Sequence, residues 1–185
     1  MKKINEAIIC AGFGGQGIMV LGKVLANAGM EKELNVTWFP SYGAEVRGGT
    51  AHSAIRISSE QIGSPVVSQA DTAIIMNDPS LDKFEERVKP GGLLILNTSM
   101  TTRRSKRTDI DVIEAPLTDE AIKLGNIRVA NVVAAGIFAA RKGIFNKEIL
   151  TNVIKTMGAV KQEIIEINIK AVEKGIEIEK ILRGK

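Results

Sequence analysis

The chain has 185 residues, of which 44% are hydrophobic and 25% charged, and this is the composition of a folded globular protein rather than a disordered one. Its length fits a single domain, which we expect to span residues 1–185. One cysteine excludes an internal disulfide framework, a zinc ribbon and an iron–sulfur cluster held by this chain's own cysteines.

The net charge of +4 is unevenly placed, with 9 Lys/Arg and 10 Asp/Glu in residues 1–100 against 16 and 11 in residues 101–185. The single Trp and single Tyr are not interleaved with basic residues, so we expect no nucleic-acid partner. The apolar run at 7–11 is too short for a signal sequence, and no run approaches the ~20 apolar residues of a membrane span. We therefore expect a cytoplasmic protein without a membrane partner.

The first half of the chain opens with a strand, a turn and a helix. Residues 7–11 are continuously apolar, as in a strand buried on both faces; residues 12–17 are glycine-rich, and residues 18–26 are typical of a helix. Pro40 should end a second strand. The Lys-Pro-Gly-Gly sequence at 89–92 is typical of a helix end. The predicted strands are 36–39, 53–57, 72–76 and 93–96, and a helix is predicted at 79–87.

The second half is mainly helical. A polar, basic loop at 101–107 precedes a short edge strand at 110–113, and a helix follows from about Thr118, which is predicted to be its N-cap. Further helices are predicted at 129–142, 147–156 and 161–182. The pattern predicts a three-layer α/β/α fold with a mostly parallel central sheet, a Rossmann-like opening and a helical C-terminal third.

The first glycine segment satisfies G-x-G-x-x-G through Gly12, Gly14 and Gly17. Glycine amides and a helix N-terminus can together bind an anion. A dinucleotide site also requires an acidic residue at the end of the second strand, and residues 36–41 contain none. The motif by itself leaves three interpretations open: a cofactor site, a tight turn that packs helix on sheet, and a turn against a neighbouring subunit.

The second glycine segment, residues 40–50, places a carboxylate, a guanidinium, a phenol and two hydroxyls among three glycines. Glu45 and Arg47 would lie on the same side of an extended backbone, where they could pair with each other or with an external group. His52 follows directly, and we expect it to be packed or exposed rather than a catalytic base.

Two segments together, AGFGGQGI at 11–18 and PSYGAEVRGGTA at 40–51, resemble the gamma subunit of 2-oxoacid:ferredoxin oxidoreductases. The resemblance continues through residues 62–67, 89–92 and 130–133. The sequence RGGTA at 47–51 is most similar to the 2-oxoglutarate type rather than to the pyruvate and branched-chain types.

The resemblance implies a complex that converts a 2-oxoacid to acyl-coenzyme A, CO2 and reduced ferredoxin. It places thiamine diphosphate, magnesium and 4Fe-4S clusters on partner subunits, with ferredoxin as the electron acceptor and no catalytic residue in this chain. Coenzyme A would contact Gly12, Gly14, Gly15, Gln16, Gly17 and Arg47. Residues at a partner surface or active-site edge would be Ser41, Tyr42, Glu45, Gly48 and Gly49.

Two alternative functions remain open from the sequence. The chain could be a purely structural assembly subunit of the same complex, or a stand-alone NAD- or FAD-binding oxidoreductase domain.

The basic group at 103–107 is a second candidate for a phosphate contact, although such runs are more often solvated. We expect the isolated chain to expose an apolar face and to form homodimers. The helix at 161–182 fits an interface and packing on its own sheet equally well.

Overall fold

The computed structural model describes residues 3–42, 50–157 and 161–184. Its strands are β1 (Asn5–Phe13), β2 (Asn35–Tyr42), β3 (Thr50–Ser58), β4 (Ala70–Ile75), β5 (Val88–Asn97) and β6 (Asp111–Ala115), joined in one sheet of order β2-β3-β1-β4-β5-β6. β3 runs antiparallel to both neighbours, so the other five strands point the same way. The predicted mostly parallel sheet is confirmed.

The described residues form six α-helices around the sheet: α1 (Ile18–Glu31), α2 (Asp78–Phe84), α3 (Leu117–Lys123), α4 (Ala130–Lys142), α5 (Lys147–Thr156) and α6 (Gln162–Arg183). Side chains of α1 and α3–α6 join one face of the sheet in a continuous core, whereas α2 packs on the opposite face. The three layers and the helical C-terminal third are therefore confirmed. In the described ranges, no helix has the length and apolar character needed to cross a membrane.

The central position of β1 in the sheet explains why residues 7–11 form an unbroken apolar run. Ile8 and Cys10 face the layer of five helices, while Ile9 and Ala11 face α2. All four side chains are buried, because helices cover both faces of the sheet at its centre. Each large apolar side chain buried in this way contributes about 1.5–3 kcal/mol to folding.

The connections of β1 and β4 diverge, although these two strands are neighbours. The chain leaves β1 through α1 on one face and reaches β2 at one edge of the sheet; it leaves β4 through α2 on the other face and reaches β5. Such a divergence opens a crevice outside the carboxyl ends of the two strands, where α/β proteins commonly bind ligands. The glycine turn at 12–17 follows β1 and therefore lies at this crevice.

Three local predictions are wrong. Pro40 does not end the second strand, because β2 is an edge strand bonded only to β3 and an edge strand tolerates a missing N–H. Residues 89–92 lie within β5, and the preceding helix ends at Phe84 in a short 3-10 turn. Thr118 is inside α3, whose N-cap is Pro116.

The long C-terminal helix divides between packing and exposure. Ala171, Val172 and Gly175 are buried, and Gly175 approaches the backbone of α4 at Gly136. The first ten residues of the region, 161–170, are exposed or half-buried, and Ile164 lies at the surface. The part of α6 that follows therefore packs on its own domain, and an interface role for the first part stays a prediction.

Candidate functional site

The turn between β1 and α1 contains glycines with different surroundings. Gly17 has a φ of 72°, and a Cβ there would overlap the amide nitrogen of Asn131 on α4. A Cβ on Gly12 would lie 2.6 Å from Gln16 Oε1. Gly15 has a φ of 106°, and nothing lies within 4 Å of where its Cβ would be. Gly12 and Gly17 thus permit close packing, whereas Gly15 faces open space.

Gln16 clamps this turn to the end of β4. Its Oε1 accepts hydrogen bonds from the Phe13 N–H at 2.7 Å and from Asn77 Nδ2 at 2.9 Å. Its Nε2 donates to the Met76 carbonyl at 3.2 Å. Because both ends of the side-chain amide are engaged inside the protein, Gln16 shapes the turn.

Backbone N–H groups at the turn remain available to a ligand. Gly14, Gly15 and Gly17 have no hydrogen-bond acceptor for their amides among the residues that the structure describes. The first turn of α1 adds N–H groups that a helix leaves unpaired at its start. Together these groups make the turn attractive to a negatively charged group.

A crevice of about 150 Å³ opens beside the turn at the divergence of β1 and β4. Gly15 and Gln16 line it together with Met76 at the end of β4, and segments after β5 and β6 complete it. Its other lining residues are Met100, Thr118, Ile127, Arg128 and Ala130. The crevice therefore combines apolar walls with backbone amides and one guanidinium.

A buried polar network supports the floor of the crevice. Asn97 Nδ2 donates to Thr118 Oγ1 at 2.9 Å and to the Met76 carbonyl at 3.4 Å, and Asn97 Oδ1 accepts the Thr118 N–H at 3.3 Å. From the sequence, no site role was assigned to Asn77, Asn97, Thr118 or Arg128. A signal existed for the first two, since each is the first polar residue after the buried apolar run of a parallel strand.

The second glycine segment begins at the end of β2, and β3 lies between β2 and the strand that leads into the glycine turn. Ser41 and Tyr42 end β2, which is two strands away from β1, a lateral separation of about 10 Å. Tyr42 is exposed, and Ser41 pairs across the ladder with His52. Glu45, Arg47, Gly48 and Gly49 lie outside the described residues.

This strand order also bears on dinucleotide binding. In a Rossmann site the acidic residue that binds the ribose follows the strand beside β1. Here the antiparallel β3 occupies the place between β1 and β2. The end of β2 is thus distant from the glycine turn, which disfavours the dinucleotide-binding alternative.

The arginines of the basic segment at 101–107 are paired within the protein. Arg104 contacts Glu114 at 3.2 Å, and Arg103 contacts Asp82. Arg107 is bidentate to Asp109 and donates to the Val88 carbonyl at 2.7 Å. These contacts anchor the loop, so its arginines are not available to a phosphate without breaking existing bonds.

The protein family follows from comparison with known proteins. A family model described as pyruvate ferredoxin/flavodoxin oxidoreductase matches residues 7–178, nearly the whole chain. The chain belongs to this family. The match includes the glycine turn, the crevice and all six strands except the first two residues of β1. The resemblance that the two glycine segments indicated is therefore confirmed at the level of the family.

Relatives in the pyruvate ferredoxin/flavodoxin oxidoreductase family occur in two lengths. The ketoisovalerate oxidoreductase subunit VorA of Methanothermobacter marburgensis is 37% identical over 90% of this chain but 35% of its own length. The 2-oxoglutarate synthase subunit KorC of Methanocaldococcus jannaschii is 33% identical over 97% of both chains. This chain thus spans about a third of VorA.

Two solved structures share the fold. The gamma subunit of a keto/oxoacid ferredoxin oxidoreductase from Geobacter sulfurreducens matches with a TM-score of 0.81 and 26% identity, over 95% of this chain and 99% of its own. A 2-oxoglutarate:ferredoxin oxidoreductase from Magnetococcus marinus, with 2-oxoglutarate, coenzyme A and succinyl-CoA bound, matches with a TM-score of 0.87 and 25% identity. The match covers 98% of this chain and 32% of that one.

In this member of the pyruvate ferredoxin/flavodoxin oxidoreductase family, His52 packs on the α2 face of the sheet. Its ring centroid is 5.0 Å from that of Phe84, and the cations of Lys83 and Arg87 lie over the same Phe84 ring. Burial, followed by repulsion from these two cations, lowers the pKa of His52 below 6.5. A neutral, packed imidazole is therefore expected at pH 7.

The pKa of His52 can be measured directly, because the chain has one histidine. We expect its imidazole proton resonance to titrate by NMR with a midpoint below 6.5, and Lys83→Gln to move the midpoint upward by removing a nearby cation. Since the folded protein binds fewer protons than the unfolded chain, His52 should weaken stability as pH falls below about 6.5.

Lys123→Gln serves as the matched control for Lys83→Gln, because Lys123 pairs with Glu120 on α3, across the sheet from His52. It should leave the His52 midpoint unchanged. A midpoint at or above 6.5 in the unmodified protein would contradict the packing described for His52.

The described residues hold no evident metal centre. No group of three or more His, Cys, Asp or Glu side chains converges within the described ranges. Cys10, the chain's one cysteine, is fully buried, and burial raises its pKa. The cysteine complement of this chain therefore does not fit an iron–sulfur cluster.

Proposed function

We propose that this chain is the gamma component of a 2-oxoacid:ferredoxin oxidoreductase complex and that it contributes one part of the coenzyme A site. The complex would convert a 2-oxoacid to acyl-coenzyme A and CO2, with ferredoxin accepting the electrons. The observation that carries the proposal is the crevice at the β1–β4 divergence, lined by the exposed Gly15 and bordered by unpaired glycine amides. Membership of the family supplies the reaction class.

Coenzyme A suits this crevice chemically. Its phosphates would accept hydrogen bonds from the amides of Gly14 and Gly15, with the positive end of α1 behind them. The homologous Magnetococcus protein has coenzyme A bound, which supports the same ligand here. Gly12, Gln16 and Gly17 would act by shaping the turn, because their surroundings are filled by protein atoms.

The size of the crevice supports a shared site. A volume of about 150 Å³ is well below the roughly 300–1,000 Å³ of pockets that enclose a whole drug-sized ligand. The crevice fits one phosphate or a short segment of coenzyme A. We infer that the remainder of the ligand would lie on another subunit, as would thiamine diphosphate, magnesium and the 4Fe-4S clusters.

For the 2-oxoacid we place 2-oxoglutarate first. The RGGTA sequence at 47–51 favours it, and KorC, a 2-oxoglutarate synthase subunit, matches along nearly its full length. The 37% identity to VorA makes a branched-chain 2-oxoacid the second candidate. Comparing turnover of 2-oxoglutarate and 2-oxoisovalerate by the purified complex would decide between them.

Affinity purification of the tagged chain from its native cells under anaerobic conditions tests the complex. We expect mass spectrometry to identify a thiamine-binding subunit and a cysteine-rich subunit, together with coenzyme A-dependent oxidation of a 2-oxoacid. Recovery of the chain alone as a monomer or homodimer that binds a dinucleotide would overturn the proposal and restore the stand-alone alternative. Recovery of an active complex leaves the ligand role of the turn to be tested separately.

Gly15→Val tests that ligand role. The added Cβ meets no protein atom and would enter the open space beside the crevice, at a φ that costs L-residues about 1–3 kcal/mol. We expect the complex to assemble, kcat to remain within about 2-fold, and the KM for coenzyme A to rise by about 10-fold or more. Steady-state kinetics over a range of coenzyme A concentrations would measure both.

The matched control is Gly91→Val, because Gly91 also has a positive φ, 74°, has no atom within 4 Å of where its Cβ would be, and lies outside the crevice. It should change neither assembly nor the KM for coenzyme A. If Gly15→Val prevents assembly while Gly91→Val does not, the turn is a packing element and the purely structural alternative is favoured.

A further inference from the structure

Arg128 differs from almost every other arginine in the described ranges. Six of the seven other described arginines bind a carboxylate or a backbone carbonyl: Arg87, Arg103, Arg104, Arg107, Arg141 and Arg183. The Arg128 side chain is exposed and has no such partner among the described residues. Its guanidinium is therefore available to an external anion.

The backbone fixes the place of Arg128. It lies in the 3-10 turn Ile127–Val129, where Asn126 Oδ1 accepts the Arg128 N–H at 3.0 Å and the Asn126 carbonyl accepts the Val129 N–H at 3.1 Å. This turn leads directly into α4, whose Asn131 donates from Nδ2 to the Gly17 carbonyl at 2.9 Å. Arg128 is thus anchored beside the glycine turn and lines the same crevice as Gly15.

A second unused polar group lies beside the glycine turn. Asn131 is buried, and its Oδ1 accepts no hydrogen bond from any residue that the structure describes. Its carbonyl end is therefore not used in holding the turn, whereas its Nδ2 is.

We propose that the Arg128 guanidinium binds a phosphate group of coenzyme A in the crevice that it shares with Gly15, and this inference rests on the proposed function. The guanidinium forms two parallel hydrogen bonds to phosphate oxygens, and the glycine amides donate to the same group. Arg128 supplies the side-chain charge that the glycine turn lacks.

The experiment compares Arg128→Ala, Arg128→Lys and the wild type in the complex purified with the tagged chain. Arg128→Ala should raise the KM for coenzyme A by about 10-fold or more with kcat within about 2-fold. Arg128→Lys should raise the KM for coenzyme A less than Arg128→Ala does, because lysine keeps the charge but loses the bidentate geometry. Arg104→Ala, which removes an exposed arginine paired with Glu114, should leave the KM unchanged.

Comparing the KM for coenzyme A with the KM for dephospho-coenzyme A, which lacks the 3′-phosphate, shows which phosphate group Arg128 binds. If Arg128 binds the diphosphate, Arg128→Ala raises the KM for both coenzyme A and dephospho-coenzyme A. If it binds the 3′-phosphate, the wild type loses affinity for dephospho-coenzyme A and Arg128→Ala has no further effect on it. Both outcomes support the phosphate contact.

The inference is overturned if Arg128→Ala leaves the KM for coenzyme A within about 2-fold of the wild type while Gly15→Val raises it. In that case the crevice still binds coenzyme A, but without Arg128. If neither variant changes the KM in an active complex, the proposed coenzyme A role of this chain fails as a whole.

Discussion

Replacing Gly175 with alanine is expected to lower the free energy of unfolding by about 3 kcal/mol, the upper part of the usual range for overpacking. A Cβ at this position would overlap the Val133 carbonyl oxygen and lie 2.8 Å from the Ile137 amide nitrogen. Both atoms belong to the α4 backbone, which cannot move without separating α6 from its partner. Urea denaturation of the isolated chain would measure the change.

Gly63→Ala is the matched control, because its Cβ would meet no atom and its φ is not positive. It should leave the free energy of unfolding unchanged or raise it by up to about 1 kcal/mol through a stiffer unfolded chain. A Gly175→Ala variant as stable as Gly63→Ala would show that α4 and α6 are not packed backbone to backbone.

Replacing Asn97 with alanine is expected to cost about 2–4 kcal/mol and to weaken the crevice. Asn97 is fully buried, and its loss would leave the Thr118 N–H and hydroxyl without their partner and a cavity beside Met76. Because Met76 and Thr118 both line the crevice, the KM for coenzyme A should also rise. Urea denaturation and steady-state kinetics would measure the two effects.

Asn27→Ala provides the comparison for Asn97→Ala. Asn27 makes one side-chain hydrogen bond, to the Lys23 carbonyl of its own helix, and it lies away from the crevice. Alanine is the better helix former there, so stability should be unchanged or slightly raised. If Asn97→Ala is as mild as Asn27→Ala, the buried network does not hold the floor of the crevice.

The central strands were predictable because their signal is local. The apolar runs at 7–11 and 93–96 lie within β1 and β5, and the run at 72–76 overlaps β4 in all but its last residue. Helices cover both faces of these strands, so the side chains of these runs are apolar apart from Thr72. The turn at 12–17 was equally clear, since glycines with positive φ occur at Gly15 and Gly17.

The errors occurred where the outcome depended on distant neighbours. Whether Pro40 ends a strand depends on whether another strand needs its N–H, and β2 has a neighbour on one side only. Residues 89–92 look like a turn, yet β5 includes them, and Gly91 donates to the Asp109 carbonyl. Thr118 has the side chain of an N-cap, but its hydroxyl bonds Asn97 across the end of the sheet.

In the candidate site, too, local motifs were predictable from the sequence and contacts between distant residues were not. Gly15 and Gln16 were predicted from the motif to contact a cofactor, and both line the crevice. Arg128 was not, because an arginine in a polar segment has no local pattern that separates an anion contact from a solvated side chain. The basic group at 103–107 looked stronger in sequence, yet its arginines are bound by acids and carbonyls that other segments supply.

Residue order along the chain was enough to establish the α/β class, the glycine turn and the resemblance to the gamma subunit, because each depends on residues close together in sequence. Tertiary structure alone decided which strand neighbours β1, which arginines remain unpaired and which glycines face open space. Gly15, Met76, Thr118 and Arg128 are separated by up to 113 positions and meet only because parallel strands end at one edge of the sheet. Contacts of that range follow from strand order, and strand order is a property of the whole folded chain.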